Sequence, residues 1–143
     1  MASANTNRQL VQRYLEAFND NDHERIAELL ADDVVEHGIH EELHGIDAIL
    51  EFLQRHFDIF PDYTGETEAM VAEDDTVVVR YTVSGTHEGE YLNVEPSGRS
   101  AEWTGMAMYR VEDGRIAEIW LEEDRLGLLE QLDVAEPPAH LRI

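Results

Sequence analysis

The sequence predicts an α+β domain in which helices cover one face of an antiparallel sheet, and three observations carry that prediction. Apolar residues recur at helical spacing up to Phe57, and from Tyr63 the period drops to two as far as residue 123. A run of helices followed by a strand meander places the helices together on one side of the sheet. At 143 residues the chain has room for one core and not for two.

The elements follow in order. Thr6 with Gln9 three residues on reads as a capping box, and Leu10, Val11, Tyr14, Leu15 and Phe18 give residues 6–19 one apolar face. The polar cluster Asn19–Asp22 ends that helix. A short second helix carries Ile26, Leu29 and Leu30 on one side, and Asp32–His37 reads as a short strand running into a polar, histidine-rich loop. Beyond Gly45 the stripe Ile46, Ile49, Leu50, Leu53 and Phe57 marks the clearest helix, which Pro61 stops. Residues 63–73 and 76–87 read as strands joined by a tight turn at Asp74–Asp75, with a loop over Glu88–Ser100. Residues 101–112 and 115–123 form the best-signalled hairpin, because Asp113–Gly114 suits a two-residue turn with positive φ. Leu126, Leu128, Leu129 and Leu132 make a last short helix before a Pro137–Pro138 tail that is expected to be mobile. Residues 1–143 are thus read as a single domain, with its core at about 6–133 and a C-terminal tail at 134–143.

Composition narrows the chemistry. Ten basic residues, all Arg, stand against 32 Asp and Glu, for a net charge of -22, and there is neither Lys nor Cys. A lysine Schiff base, a phosphate-loop lysine, a cysteine nucleophile, a disulfide framework and an iron–sulfur cluster are therefore excluded. A surface this negative repels phosphate backbones and anionic headgroups, so neither nucleic acid nor a membrane surface is an expected partner. The acids are dispersed among 43% apolar residues, which argues for a folded domain with a charged skin. Such self-repulsion is relieved in molar salt, where the Debye length shrinks to about 3 Å, and the expectation is a protein of a salt-rich cytoplasm. The start, MASANTNRQL, has no apolar leader-like run, and no stretch approaches the length of a spanning helix.

Among residues that could carry chemistry, Asp124 stands out where the last strand gives way to the last helix. In a regular strand Trp120, Glu122 and Asp124 face one way, and a carboxylate held beside an indole in an apolar cavity loses hydration and can exchange protons near neutrality. The competing reading is an N-cap for the Leu-rich helix. His37, His40 and His44 lie among Glu36, Glu41 and Glu42, but H-x2-H-x3-H across a strand end and loop is no zinc signature, so no metal is assigned. His37 at the strand end is the pocket candidate, able to hydrogen-bond a substrate oxygen. His87 is a weaker one. Trp103, Met106, Met108 and Trp120 on the final hairpin, with Tyr14, Phe18, Phe57 and Phe60 on and after the helices, either line an apolar pocket or are simply core. Ser84 and Ser97 lack a nucleophile elbow. Large apolar residues on both parities of the last strand (Ile116 and Trp120, Ile119 and Leu121) call for a cover on the second sheet face, and a homodimer supplies it.

Several landmarks occur in a fixed order: Phe60-Pro61-Asp62-Tyr63, Gly85-Thr86-His87 with Gly89, and Pro96-Ser97-Gly98-Arg99. Trp103-Thr104-Gly105, Tyr109 through Ile116, Glu118-Ile119-Trp120 and Asp124-Arg125-Leu126-Gly127-Leu128-Leu129 with Gln131-Leu132 complete the set. In these the chain resembles the SnoaL-like polyketide cyclases, or ester cyclases, of the nuclear-transport-factor-2-like superfamily, over residues 6–133. The resemblance implies a cone: a strongly curved antiparallel sheet wrapped by the N-terminal helices, with a pocket at the open end and a dimer through the sheet. It also implies intramolecular aldol closure of a polyketide ester without metal or cofactor, with Asp124 as acid/base and His37 in the pocket. The expected partner is a small, apolar, carbonyl-containing molecule. Ile119 stands where several relatives carry His, and Asn93-Val94-Glu95 replaces a more apolar loop. Two alternatives use the same cone: a hydrolase or isomerase resembling epoxide hydrolases or ketosteroid isomerases, and a non-catalytic dimer that binds a small ligand.

Overall fold

The structure, a computed structural model, describes residues 3–134. Helix α1 (Ala4–Asn19) starts two residues before the predicted capping box, because Ser3 caps it by accepting from the Thr6 backbone N–H at 3.1 Å. Helix α2 (His23–Leu29) is capped in the same way by Asp22 and leads directly into β1 (Leu30–His37). A two-residue strand β2 (Leu43–His44) lies within the stretch read as loop; it pairs antiparallel with Val35 and Glu36 of β1. Helix α3 (Ile46–Ile59) then crosses the sheet. The meander follows as β3 (Thr64–Glu73), β4 (Thr76–Thr86), β5 (Ser100–Glu112) and β6 (Arg115–Glu123), and α4 (Arg125–Gln131) ends the described chain. The turn between β5 and β6 has positive φ at both Asp113 (52°) and Gly114 (75°), as its sequence predicts. Most of the expected C-terminal tail, residues 135–143, lies outside the described residues.

The strand order is β2-β1-β6-β5-β4-β3, in one curved sheet that is not closed. The meander is antiparallel throughout, but β1 runs parallel to β6, with Glu36 opposite Ile119 and His37 opposite Trp120. That parallel pairing follows from the helix crossover: α3 carries the chain from β2 across the concave face to the far edge, where β3 begins. The core fills the concavity. Leu10, Val11 and Ala17 of α1 and Ile49 and Leu53 of α3 meet Val77, Val79 and Val83 of β4 and Tyr109 of β5, all buried. No helix among the described residues is long and apolar enough to cross a membrane.

Candidate active site

Which carboxylate enters the concavity is decided by one bulge. Along β5 the odd positions Ala101, Trp103, Ala107 and Tyr109 are buried, whereas Met106 and Met108 on even positions are exposed. Strand β6 runs opposite, with Val111 facing Ile116 but Arg110 facing Glu118, so Ala117 is an extra residue in the ladder. Ile116 points inward, and beyond the bulge Ile119, Leu121 and Glu123 do so too, with the parity reversed. Trp120 faces outward, opposite Met108 on one side and His37 on the other.

Glu123 is therefore the last residue of the sheet to face inward, opposite Gly105. Its Oε1 accepts from Trp103 Nε1 at 3.0 Å and pairs with Arg125 Nε at 3.4 Å, and its Oε2 accepts from the Tyr81 hydroxyl at 2.5 Å. A side chain at Gly105 would meet both Tyr81 and Glu123 at 2.7 Å, so only glycine leaves room for their contact. Arg125 also donates through Nη1 to the Tyr91 hydroxyl at 3.0 Å, which ties the loop before β5 to the same cluster.

These groups bound a cavity between α1, α3 and the sheet that holds about 580 Å³ including its open mouth. Its walls are aromatic: Tyr14 and Phe18 from α1, Phe52 from α3, and Tyr63 and Tyr109. Two carboxylates face it, Glu123 and Glu36. Glu36 lies on β1 and is only 2% exposed; its Oε2 meets His40 Nε2 at 2.8 Å, and its Oε1 makes no hydrogen bond to a described residue. Burial raises the Glu36 carboxyl above its ordinary range, against the lowering pull of His40. The hydrogen bond to Glu36 in turn raises His40, whose Nδ1–H donates to the Glu41 carbonyl at 2.6 Å. Burial pulls His56 down to about 4, so it is neutral at pH 7; its Nδ1–H donates to the Phe52 carbonyl at 2.9 Å and its Nε2 is left as an acceptor. The Tyr14, Tyr63, Tyr81 and Tyr109 hydroxyls are all pushed above the ordinary phenol range by burial first and by Glu36 or Glu123 after it. They keep their protons and act as donors.

Several expected site residues sit elsewhere. Asp124 is exposed and caps α4, accepting from the Gly127 backbone N–H at 2.8 Å, which is the competing reading of its sequence position. His37 lies outside the cavity, stacked on Trp120 at 5.5 Å between centroids, with Nδ1 on Glu42 at 3.0 Å and Nε2 on Glu118 at 2.6 Å. Those two carboxylates, Glu118 first, raise its pKa. His37, His40 and His44 do not converge: His40 turns to Glu36 and His44 to Glu42. Met106, Met108 and Trp120 belong to the outer face, because strand alternation and the bulge put them there. Trp103 faces inward and holds Glu123 from beneath. Phe60 is buried beside Trp103, His87 and Tyr91, away from the cavity, and Phe57 packs on the rim against Tyr63. His87 is fully buried in the loop, its Nδ1 accepting from the Ser97 backbone N–H at 3.2 Å. Tyr14 and Phe18 line the cavity as expected. Sequence reasoning did not single out Glu36, Glu123 and His56, which line the cavity, or His40, which backs Glu36. Strand parity could have found Glu36, which alternates with the buried Val34.

An α+β cone with its helices around a polar-lined, aromatic cavity is the nuclear-transport-factor-2-like architecture, which comparisons with solved structures bear out. Within it, the chain belongs to the SnoaL-like polyketide cyclase family, whose model matches residues 8–132. The chain is similar to IdmH from Streptomyces antibioticus, a candidate polyketide cyclase, at 35% identity over 90% of this chain and 99% of that one, with a TM-score of 0.78. It is similar to AclR from Streptomyces galilaeus, a candidate hydroxylase, at 26% identity over 98% and 93% of the two chains, TM-score 0.86. TsrD from Streptomyces laurentii matches at 27% identity over 94% and 100%, TM-score 0.85. No curated protein matches the chain. The family supports a cyclase-type role for the protein.

Proposed function

We propose that the protein closes a ring in a small carbonyl compound of largely apolar surface by intramolecular aldol-type condensation, with Glu36 as the acid/base. One observation carries the assignment: of the two carboxylates in the cavity, Glu36 alone keeps an unpartnered oxygen, whereas both oxygens of Glu123 are engaged by Trp103, Arg125 and Tyr81. Glu36 removes a proton from carbon flanked by carbonyls, the resulting enolate carbon attacks a second carbonyl of the same molecule, and protonated Glu36 returns the proton to the new alkoxide. Desolvation makes that carboxylate a stronger base than it is in water. The tyrosine hydroxyls donate to the developing oxyanion, and the aromatic walls hold the chain folded so that the reacting carbons lie within about 3–3.5 Å. His40 is a positioning residue that orients the Glu36 carboxyl.

The first step, proton removal next to a carbonyl, is testable without the native substrate. Glu36→Gln, which keeps shape and hydrogen bonding, should abolish enzyme-dependent exchange of the α-protons of an aryl ketone with D2O, read by NMR. Exchange at the wild-type rate in that variant refutes the assignment. We further propose a homodimer that covers the outer face at Met106, Met108 and Trp120.

A further inference from the structure

The cavity has a charge arrangement that the proton chemistry does not require. Both of its acid–base pairs point the same way, carboxyl group toward the cavity and basic group behind: Glu123 stands in front of Arg125, and Glu36 in front of His40. Neither Arg125 nor His40 reaches the cavity lining, and His56, which does, is neutral at pH 7. Phe18, Phe52, Tyr14, Tyr63 and Tyr109 turn ring faces or edges into the same space, and mutual ring contacts of 5.4 to 6.2 Å fix Phe18, Tyr14, His56 and Tyr63 in place. An aromatic enclosure with buried negative charge and no cation of its own is the chemistry that takes a positively charged nitrogen. A free carboxylate or phosphate would instead meet two anions with nothing to pair it.

We propose that the ligand of this cavity carries a basic nitrogen, bound as a cation among Phe52, Tyr14 and Tyr109 in the field of Glu36 and Glu123. The proposal rests on reading the cavity as the substrate site, and it adds the chemical class that the cavity selects. The unpartnered Glu36 Oε1 offers one counter-charge in the cavity, and the Glu123 carboxylate offers another.

Choline and 3,3-dimethylbutan-1-ol form an isosteric pair that differs only in the charge, a quaternary nitrogen against a quaternary carbon. Their affinities for the full chain, titrated by NMR at pH 8 in molar KCl, separate charge recognition from apolar fit. Choline should bind at least tenfold more tightly than the alcohol. Phe52→Leu, which keeps the apolar volume and removes a ring, should weaken choline several-fold and leave the alcohol unchanged. Lowering the pH to 5 should weaken choline alone, because Glu36 takes up a proton; of the groups that face it, His40 and His37 gain positive charge and act in the same direction, Glu123 stays paired with Arg125, and His56, with a pKa of about 4, stays largely neutral. Equal affinity for the two compounds, or tighter binding of the alcohol, overturns the proposal. Loss of ketone proton exchange in Glu36→Gln tests the acid/base reading separately, so either reading can fail while the other stands.

Discussion

His56 should set the acid limit of this fold. Its ring is 8% exposed and sits in an aromatic nest, edge-on to Phe52 at 4.3 Å and to Tyr63 at 5.4 Å between centroids. Its folded pKa of about 4 lies below the ordinary 6.5, so the unfolded chain binds the proton first. The stability this group contributes is therefore fully present above pH 6.5 and is lost as the pH falls toward 4. At 1.36 kcal/mol per unit, the whole shift corresponds to about 3 kcal/mol, of which about 2 kcal/mol is gone by pH 4.5. Glu36, His37 and His40, all raised, titrate in the opposite sense: their contributions are present at low pH and lost as pH rises. Wild-type stability alone mixes these signs, and a difference between two proteins separates them.

His56→Phe keeps the ring and its packing and removes the titration. The lost hydrogen bond to the Phe52 carbonyl costs about 1 kcal/mol at most, the same at every pH, since that carbonyl sits on the helix and keeps its backbone partner. Urea unfolding of both proteins, followed by tryptophan fluorescence in molar KCl at pH 7.5 and 4.5, gives four free energies. Wild type should lose about 2 kcal/mol more than the variant between the two pH values. Equal losses, within about 0.5 kcal/mol, would refute a buried neutral imidazole at this position.

Asp124→Ala should cost about 1 kcal/mol as a lost N-cap and lower Tm by about 3–4 °C, while ketone proton exchange persists. Loss of exchange at unchanged Tm would return the acid/base role to Asp124. With a charge of -22 the folded state should melt at low temperature in dilute buffer and at steadily higher temperature as KCl approaches the molar range; a salt-independent Tm would remove the halophilic reading. Light scattering should find a dimer, and Met106→Glu with Met108→Glu, both on the exposed outer face, should convert it to a monomer without disturbing the cavity. A wild-type monomer would leave that face uncovered and refute the dimer.

Much of the fold was legible because its signals are local. The Asp113–Gly114 turn, the Pro61 stop and the change of period at Tyr63 each act over a few residues, and the strands and helices lie within a residue or two of where those signals put them. The site was less legible because it depends on pairing across the sheet. The α3 stripe read from apolar residues alone passed over His56, whose imidazole faces inward with Phe52 because its one buried donor is satisfied by that same helix. Glu36 entered the sequence reading only as one of the acids near His37, His40 and His44, although its strand neighbours Val34 and Leu30 point into the core. The two-residue strand β2 has no periodicity of its own and exists only because β1 offers it an edge.

The exchange of Asp124 for Glu123 has a sharper cause. A regular β6 would put Ile116, Trp120 and Asp124 on the inner face, and the family resemblance favours the same aspartate by its place in the chain. Yet Ile116, Ile119 and Leu121 cannot share a face of a regular strand, since the first step between them is odd and the second even. One extra residue has to intervene, and Ala117, small and beside Ile116, is the one the ladder excludes. From there on the even positions turn outward, which suits Glu118, since it meets Arg110 on that side at 3.3 Å. The chain then leaves the sheet, and the first residue past it, its backbone N–H still bonded to the Thr104 carbonyl of β5, can turn its carboxylate onto the Gly127 amide of the next helix. Asp124 does so, and the inward position falls to its neighbour, the last residue that the sheet still orients.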